Sequence, residues 1–131
     1  MTDFLTPSEA AARFGVSVDA LRYYEREGLL PPVERDPGGR RRYRAGDLQM
    51  LELIRCLRDT GMPIARLREF AGMVREGDAT IGRRADFLSE HDERLDARIA
   101  ELRSHQRAIR HKIGYYRSVL EETAAVQAEG V

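Results

Sequence analysis

Apolar positions recur every three or four residues along most of this chain, a spacing typical of helices that bury one face. Near the start, residues 7–14 and 18–27 predict two short helices. Thr6 and Ser17 stand at their N-cap positions, and Gly15 ends the first of them. Two short helices joined by a turn of a few residues that contains glycine are typical of a helix-turn-helix motif.

The helical spacing is lost after the second helix. Residues 31–32 are prolines, and they cannot continue a helix because each proline restricts the residue before it. Residues 33–35 and 41–43 then predict two short strands, joined by a turn at residues 36–39. Five arginines and one acid lie between residues 35 and 44. The segment therefore predicts a basic β-hairpin, or wing, that is suited to bind a phosphate backbone.

Two further helices follow the wing. Asp47 is the expected cap of a third helix over residues 48–59, and residues 60–63 end it because they include a glycine and a proline. A fourth helix is predicted over residues 64–74, and residues 76–78 form a polar hinge after it.

From residue 81 onward, the apolar positions follow the alternating spacing of four and three that defines a heptad. The seam positions are Ile81, Ala85, Leu88, Asp92, Leu95, Ile99, Leu102, Gln106, Ile109, Ile113, Tyr116 and Leu120. Asp92 and Gln106 are its polar members, and they are interpreted as devices that set the register or orientation of the paired helices. An apolar seam this narrow cannot be buried against the small domain formed by the preceding residues, so a partner helix is expected to cover it. We therefore predict a head over residues 1–76, a dimerisation helix over 77–123 and a flexible tail over 124–131.

Composition and charge permit DNA binding without requiring it. The 131 residues are 42% apolar and 34% charged with a formal net charge of zero, which is typical of a folded domain. A local basic ridge is sufficient for DNA binding, because the electrostatic field of the duplex acts within about 8 Å at physiological salt. No apolar run approaches the ~20 residues of a membrane span and no signal peptide is visible, so a cytoplasmic location without a membrane partner is expected. Cys56 is the single cysteine, which excludes an internal disulfide or a zinc ribbon, and no metal or cofactor is expected.

Three segments of the head occur in the order of a known family: residues 5–11 (LTPSEAA), 22–30 (RYYEREGLL), and 41–43 (RRY) followed by Asp47-Leu48. Together they closely resemble the head of the MerR family of transcription regulators. The resemblance implies a mainly α fold, with a winged helix-turn-helix head and a long C-terminal helix that forms an antiparallel coiled coil. It also implies a homodimer that binds a pseudo-palindromic operator in promoter DNA, then kinks and untwists it for RNA polymerase.

The resemblance indicates which residues of the second helix contact DNA. Arg22 and Tyr23 would be its main contacts. Tyr24 is expected to face the core instead, because it lies three residues after Leu21 on the same helix face.

The wing and the turn after the third helix would supply further contacts. Tyr43 would pack the wing against the head, and Arg58 with the backbone around Gly61 would act as a second wing-like contact. The full set of candidate DNA-binding residues is Ser17, Arg22, Tyr23, Arg26, Arg40, Arg41, Arg42, Tyr43, Arg58 and Gly61. The candidate dimerisation residues are Leu88, Leu95, Ile99, Leu102, Ile109, Ile113 and Tyr116.

The single cysteine has two interpretations of equal weight. Residues 54–63 resemble a branch of the family linked to aldehydes and other electrophiles, in which one cysteine at this place is the proposed sensor. Arg55 and Arg58 nearby would favour the reactive thiolate. Alternatively, Cys56 is a small inert core residue, since free cysteine is among the most buried residue types. Metal sensing is not expected, because the family's metal sensors carry cysteines at the ends of the dimerisation helix and this chain has none there.

Two classes of function stay open at this point. One is a promoter switch that responds to a small-molecule effector, and the other is an architectural protein that bends DNA without any effector. An enzyme is not expected, because no base, oxyanion motif or phosphate loop accompanies Cys56. His91, His105 and His111 lie off the apolar seam and are expected on the solvated surface.

Overall fold

The computed structural model describes residues 4–30 and 33–129, and within them the fold is mainly helical, as predicted. The elements in chain order are α1 (Pro7–Phe14), α2 (Val18–Arg26), β1 (Glu34–Arg35), β2 (Arg41–Arg42), α3 (Ala45–Asp59), α4 (Ile64–Glu76), a 3-10 turn (Asp78–Thr80) and α5 (Ile81–Glu129). The predicted break at residues 31–32 lies outside the described residues.

The two short helices begin and end where local signals place them. Thr6 Oγ1 accepts a hydrogen bond from the Glu9 amide at 3.2 Å, and the Glu9 carboxylate accepts one from the Thr6 amide at 3.1 Å. These hydrogen bonds hold the pKa of Glu9 below its ordinary value. Gly15 ends α1 in the left-handed conformation, with φ of 64°, and Ser17 Oγ caps α2 by accepting from the Ala20 amide at 3.0 Å.

The wing is an antiparallel hairpin in which Glu34 pairs with Arg42 and Arg35 with Arg41. Its turn is held by Asp36, whose carboxylate accepts from the Arg40 amide at 2.9 Å. The chain just before α1 adds a third short pairing, because the backbones of Leu5 and Tyr43 exchange two hydrogen bonds of 2.9 Å. The wing is thus fixed to the start of the head.

The third and fourth helices are longer than predicted. α3 begins at Ala45, so Asp47 is not its cap but lies in its first turn, where the carboxylate accepts from the Arg44 amide at 2.9 Å. An acid at that position also satisfies an orphan amide and favours the positive end of the helix dipole. α4 continues to Glu76 rather than Val74.

One hydrophobic core unites the head. Its fully buried members include Leu21 and Tyr24 from α2, Ile54 from α3 and Leu67 from α4. Phe87 from α5 is buried in the same cluster, with its ring centroid 5.8 Å from that of Phe70. Burial of apolar surface of this kind is the main stabilising term for such short helices.

The described chain divides into two compact units, with a boundary after His91. The first unit therefore extends past residue 76, where the head was expected to end, and it includes the first turns of α5. The second unit is the remainder of α5, which stays helical past residue 124 to Glu129, so residues 124–129 do not form the expected frayed tail. Residues 130–131 of that tail lie outside the described part. Among the described helices, none combines the length and the apolar character needed to cross a bilayer.

Tyr43 is fully buried between the wing and the head, as predicted for a packing residue. Its hydroxyl has no hydrogen-bond partner among the described residues. Burial raises the pKa of Tyr43 above its ordinary value, and the nearby Glu25 carboxylate adds to this effect.

We expect Tyr43→Phe to leave the free energy of unfolding at pH 7 unchanged within about 1 kcal/mol, or to increase it, because the change removes a buried polar atom that gains little in the folded state. A tyrosine whose pKa is raised by folding stabilises the native state below the unfolded pKa of about 10 and loses that contribution at higher pH. The variant should therefore lose less stability than the wild type in urea titrations above that pH.

The exposed Tyr115 supplies the matched control for this measurement. Tyr115→Phe should keep the wild-type loss of stability at high pH. If Tyr43→Phe were destabilised by several kcal/mol at pH 7, the Tyr43 hydroxyl would have to make a stabilising hydrogen bond in the folded protein, which would contradict this expectation.

Candidate nucleic-acid interface

The outer face of α2 carries the predicted recognition residues. Arg22, Tyr23 and Arg26 are exposed, and the Tyr23 side chain keeps 39% of its surface accessible. Tyr24 is 2% exposed, so the prediction that it faces the core is confirmed. The nearest acid to Arg22 is Asp19, at 3.7 Å and almost fully solvated, and such a pair constrains an arginine weakly. This face therefore offers mobile donors and one aromatic ring to a groove.

Ser17 lies at the N-terminus of the same helix and is exposed. Its hydroxyl is used by the cap of α2, as described above. The residue therefore orients the helix, and any contact with DNA would have to share the same oxygen.

The three consecutive arginines of the wing differ in their surroundings. Arg41 Nε donates to the Glu25 carboxylate at 2.5 Å, and the two side chains keep only 23% and 19% of their surface exposed. Arg42 pairs with Glu34 at 3.2 Å, and its guanidinium lies 4.3 Å from the centroid of the Phe4 ring. Arg40 is exposed and has no side-chain partner among the described residues. Arg40, Arg41 and Arg42 were all predicted as wing contacts to phosphate, and this needs correction for Arg41, which chiefly ties the wing to α2.

Tyr43 also stood among the candidate DNA-binding residues. It has no accessible surface, so it supports the wing from beneath and presents nothing to DNA.

The turn after α3 is joined to the recognition helix by a side-chain hydrogen bond. Arg58 donates from Nη1 to the Tyr24 hydroxyl at 2.6 Å, and this bond raises the pKa of Arg58. A guanidinium has five N–H donors, so this contact leaves others available. Gly61 follows in the left-handed region with φ of 97°, and it is exposed. Both predicted residues of the second contact thus lie at the surface, and one is fixed to α2.

Sequence reasoning missed the residues that hold these parts in place. Glu25 and Phe4 anchor wing arginines from 16 and 38 residues away in the chain, and no local pattern signals contacts of that range. The end of α2 is held in the same manner, because Arg75 donates to the Gly28 carbonyl at 2.7 Å and Arg68 pairs with Glu27.

Cys56 lies exposed on the last turn of α3, so its interpretation as a buried core residue is wrong. Of the two neighbouring arginines, Arg55 lies 3.7 Å from Asp59 and Arg58 is directed to Tyr24. In the described part of the chain, no group of three or more histidine, cysteine or acidic residues is arranged to hold a metal ion.

The three histidines do not share one environment. His105 and His111 are exposed on α5, as predicted, and His105 lies 3.6 Å from Glu101. His91 is only 8% exposed, and its Nε2 atom lies 2.8 Å from Thr60 Oγ1. The prediction of a solvated surface position is therefore wrong for His91, because the first turns of α5 pack on the head.

The predicted dimerisation residues fall into two groups. Leu88 is half-buried against the core of the head, so the head uses part of the surface that was assigned to a partner. Leu95 is half-buried, and the rest of the set is exposed on the second unit. These exposed residues are Ile99, Leu102, Ile109, Ile113 and Tyr116.

Comparison with known proteins identifies the family. Residues 5–73 match the family model described as MerR HTH family regulatory protein, and residues 48–112 match a second model described as MerR, DNA binding. An uncharacterised HTH-type transcriptional regulator of Haemophilus influenzae is 38% identical over 111 residues, which cover 85% of this chain and 82% of that protein. The HTH-type transcriptional regulator AdhR of Bacillus subtilis is 40% identical over 88 residues, which cover 67% of this chain and 63% of that protein.

Solved structures agree with these matches. The crystal structure of HiNmlR, a MerR family regulator lacking the sensor domain and bound to promoter DNA, superposes with a TM-score of 0.81 at 36% identity, covering 88% of this chain and 91% of that one. A MerR family regulator structure from Listeria monocytogenes gives a TM-score of 0.88 at 33% identity, covering 97% and 99%. The chain therefore belongs to the MerR family of DNA-binding transcription regulators.

Proposed function

We propose that this protein is a homodimeric promoter switch that distorts promoter DNA in response to an effector. The observation that carries the proposal is that both accessory contacts are bonded to the recognition helix. Arg41 of the wing binds Glu25 of α2, and Arg58 beside the second turn binds Tyr24 of α2. A helix inserted in the major groove would therefore bring the wing and the turn to the backbone in a fixed geometry.

We infer separate roles for the exposed residues of the head. Arg22 and Tyr23 read base edges in the major groove, since an arginine there can donate two hydrogen bonds to guanine. Arg26, Arg40 and the turn at Gly61 contact the phosphate backbone. Arg42 and Arg58 reach the backbone with the donors that their internal contacts leave free. This division predicts a salt-dependent affinity with a sequence-specific part centred on α2.

We infer a homodimer from the exposed seam of α5. Apolar residues at heptad spacing on a long helix are covered when a second helix packs against them. In the antiparallel arrangement that the family resemblance implies, two heads face the same side of one duplex. Binding both half-sites would then require the DNA to bend or untwist, which is the step that makes the promoter usable by RNA polymerase. The promoter-bound structure of HiNmlR supports a direct contact between such a chain and DNA. A regulator of this kind acts in the cytoplasm, where bacterial promoter DNA lies.

We infer that the effector is an aldehyde or another electrophile that reacts at Cys56. The thiol is exposed on the last turn of α3, close to the Arg58 contact, and is thus accessible to a small molecule. Addition to an aldehyde would form a bond between sulfur and the carbonyl carbon, and the thiol proton would pass to the carbonyl oxygen. The thiol of Cys56 can form such an adduct without a second cysteine.

Arg22→Ala should weaken binding to the protein's own operator by about 1–3 kcal/mol if Arg22 reads a base edge. The operator is obtained by selecting duplexes from a random pool with the wild-type protein, and affinity is measured by fluorescence anisotropy against a scrambled duplex. Arg107→Ala removes the same charge from an exposed position off the seam of α5 and should have no effect. Equal losses in both variants would remove Arg22 from the reading surface.

Ile109→Glu should convert the dimer to a monomer in sedimentation velocity, because the seam would place two charges in an apolar contact. Ala108→Glu introduces the same charge at the neighbouring exposed position off the seam and should remain dimeric. The monomer should also bind the operator far more weakly, since it engages one half-site at a time. A dimer that persists in Ile109→Glu would refute the assignment of the seam.

Cys56→Ser should abolish the response of transcription to an added aldehyde while leaving basal operator affinity within about twofold, because the substitution keeps the shape of the side chain and removes the nucleophile. The measurement is transcription in vitro from the selected operator with RNA polymerase, with and without formaldehyde, together with intact-mass detection of the adduct. If formaldehyde changes promoter occupancy and bending neither in the wild type nor in Cys56→Ser, the result would favour the architectural role instead.

A further inference from the structure

We propose that His91 is a positioning residue for DNA binding that fixes the turn at residues 58–61 to α5. The inference rests on the proposed function in one respect, namely that this turn contacts the DNA backbone. It concerns a residue that is 8% exposed and that acts through Thr60.

The hydrogen bonds of Thr60 place its hydroxyl between the end of α3 and His91. Thr60 Oγ1 lies 2.8 Å from the Cys56 carbonyl and 3.2 Å from the Leu57 carbonyl, and it donates its single proton toward these acceptors at the end of α3. With its proton directed to either carbonyl, Oγ1 can accept a hydrogen bond from His91. The His91 tautomer that carries its proton on Nε2 donates across this 2.8 Å contact.

The turn is joined to α2 by the Arg58 side chain and to the core by Met62, but Gly61 between them makes no side-chain contact. Gly61 is exposed, and a β-carbon placed on it would meet nothing within 4 Å. Its backbone is held locally, because the Gly61 amide donates to the Arg58 carbonyl at 3.0 Å and the Met62 amide to the Leu57 carbonyl at 2.9 Å. Among the side-chain hydrogen bonds of the described residues, the one from His91 is the link between this turn and α5.

The first turns of α5 are themselves anchored, so His91 is a firm point of attachment. The Arg66 guanidinium lies 4.2 Å from the centroid of the Phe87 ring and 3.4 Å from the Glu90 carboxylate. Phe87 in turn packs against Phe70 of α4. A half-buried hydrogen bond from a helix fixed in this way restrains the turn, and its loss would leave the Nε2 atom of the buried His91 without this partner.

The test measures affinity for the selected operator in full-length variants. His91→Leu and Thr60→Val each remove one partner while keeping an apolar side chain of related size, and each should weaken binding about tenfold. The double variant should bind no more weakly than the singles, because the two residues act through one contact. His91→Gln and Thr60→Ser keep a donor and an acceptor and should bind within about threefold of the wild type. His105→Leu, at an exposed histidine of the same helix, is the control and should have no effect.

A second readout separates positioning from general destabilisation. Affinity is measured for operators in which single phosphates are replaced by neutral methylphosphonates. The phosphate that the 58–61 turn contacts is the one whose replacement weakens binding by the wild type but not by Arg58→Gln. Arg40→Ala identifies the phosphates that the wing contacts in the same way. In His91→Leu and Thr60→Val, binding should no longer depend on the phosphate contacted by the 58–61 turn, and it should still depend on the phosphates contacted by the wing. A loss that is uniform over all phosphates, or that follows the free energy of unfolding across the variants, would overturn the proposal.

The outcomes also distinguish this inference from the proposed function. A wild-type protein that selects no duplex would refute both. A wild-type protein that binds an operator with no phosphate sensitive to Arg58→Gln would show that the turn is not a DNA contact, and the role of His91 would fall with it. Binding unchanged in folded Thr60→Val and His91→Leu proteins would refute the role of His91 alone. If His91→Leu does not fold, the comparison of Thr60→Val with Thr60→Ser decides the same question.

Discussion

The position of Tyr24 is the constraint on which the rest of the head depends. α2 has nine residues, and a helix of that length is not stable in water without tertiary packing. The Tyr24 ring supplies that packing from the inner face, while its hydroxyl accepts the hydrogen bond from Arg58. One side chain thus stabilises the recognition helix and sets its distance from the turn after α3. Because Tyr23 is its neighbour in sequence, burial of one ring directs the other outward.

Internal ion pairs explain how a chain without net charge can present a basic surface. Several arginines near the wing are neutralised by acids of the same head, as with Arg41 and Glu25 or Arg42 and Glu34. These pairs use charge to fix geometry, since a half-buried pair is screened less by salt than a solvated one. The arginines left exposed, such as Arg22 and Arg40, carry the positive potential toward a ligand. The acids elsewhere on the chain would limit non-specific binding to DNA.

The features that could be predicted from the sequence are those with local signals. Thr6 with Glu9, Ser17 and the spacing of Leu21 with Tyr24 determined the first two helices and their faces, because caps and periodicity act within a few residues. The start of α3 was misplaced since an acid is favourable both at the cap and one turn inside the helix. The sequence could not predict which wing arginines form ion pairs, because a free arginine and a paired one look alike in sequence when the partner lies far along the chain.

The environment of α5 shows a second kind of limit. Heptad spacing predicts which residues share a face, but it does not say which molecule covers that face. At the start of α5, Phe87 and His91 are four residues apart and face the head, while Ile81 and Ala85 of the seam remain exposed. Leu88 lies where these two faces meet and is half-buried by the head.

That shared border constrains how the helix can respond to a partner. Rotation of the first turns of α5 by one residue, about 100°, would withdraw Phe87 from the core and break the bond from His91 to Thr60. Leu88 is therefore open to a partner helix only on the part of its surface that the head leaves exposed. Thr60 also bonds to the carbonyl of Cys56, so the contact from His91 joins the start of α5 to the end of α3. The start of α5, the turn at Thr60 and the last turn of α3, which carries the thiol, are thus linked by consecutive hydrogen bonds.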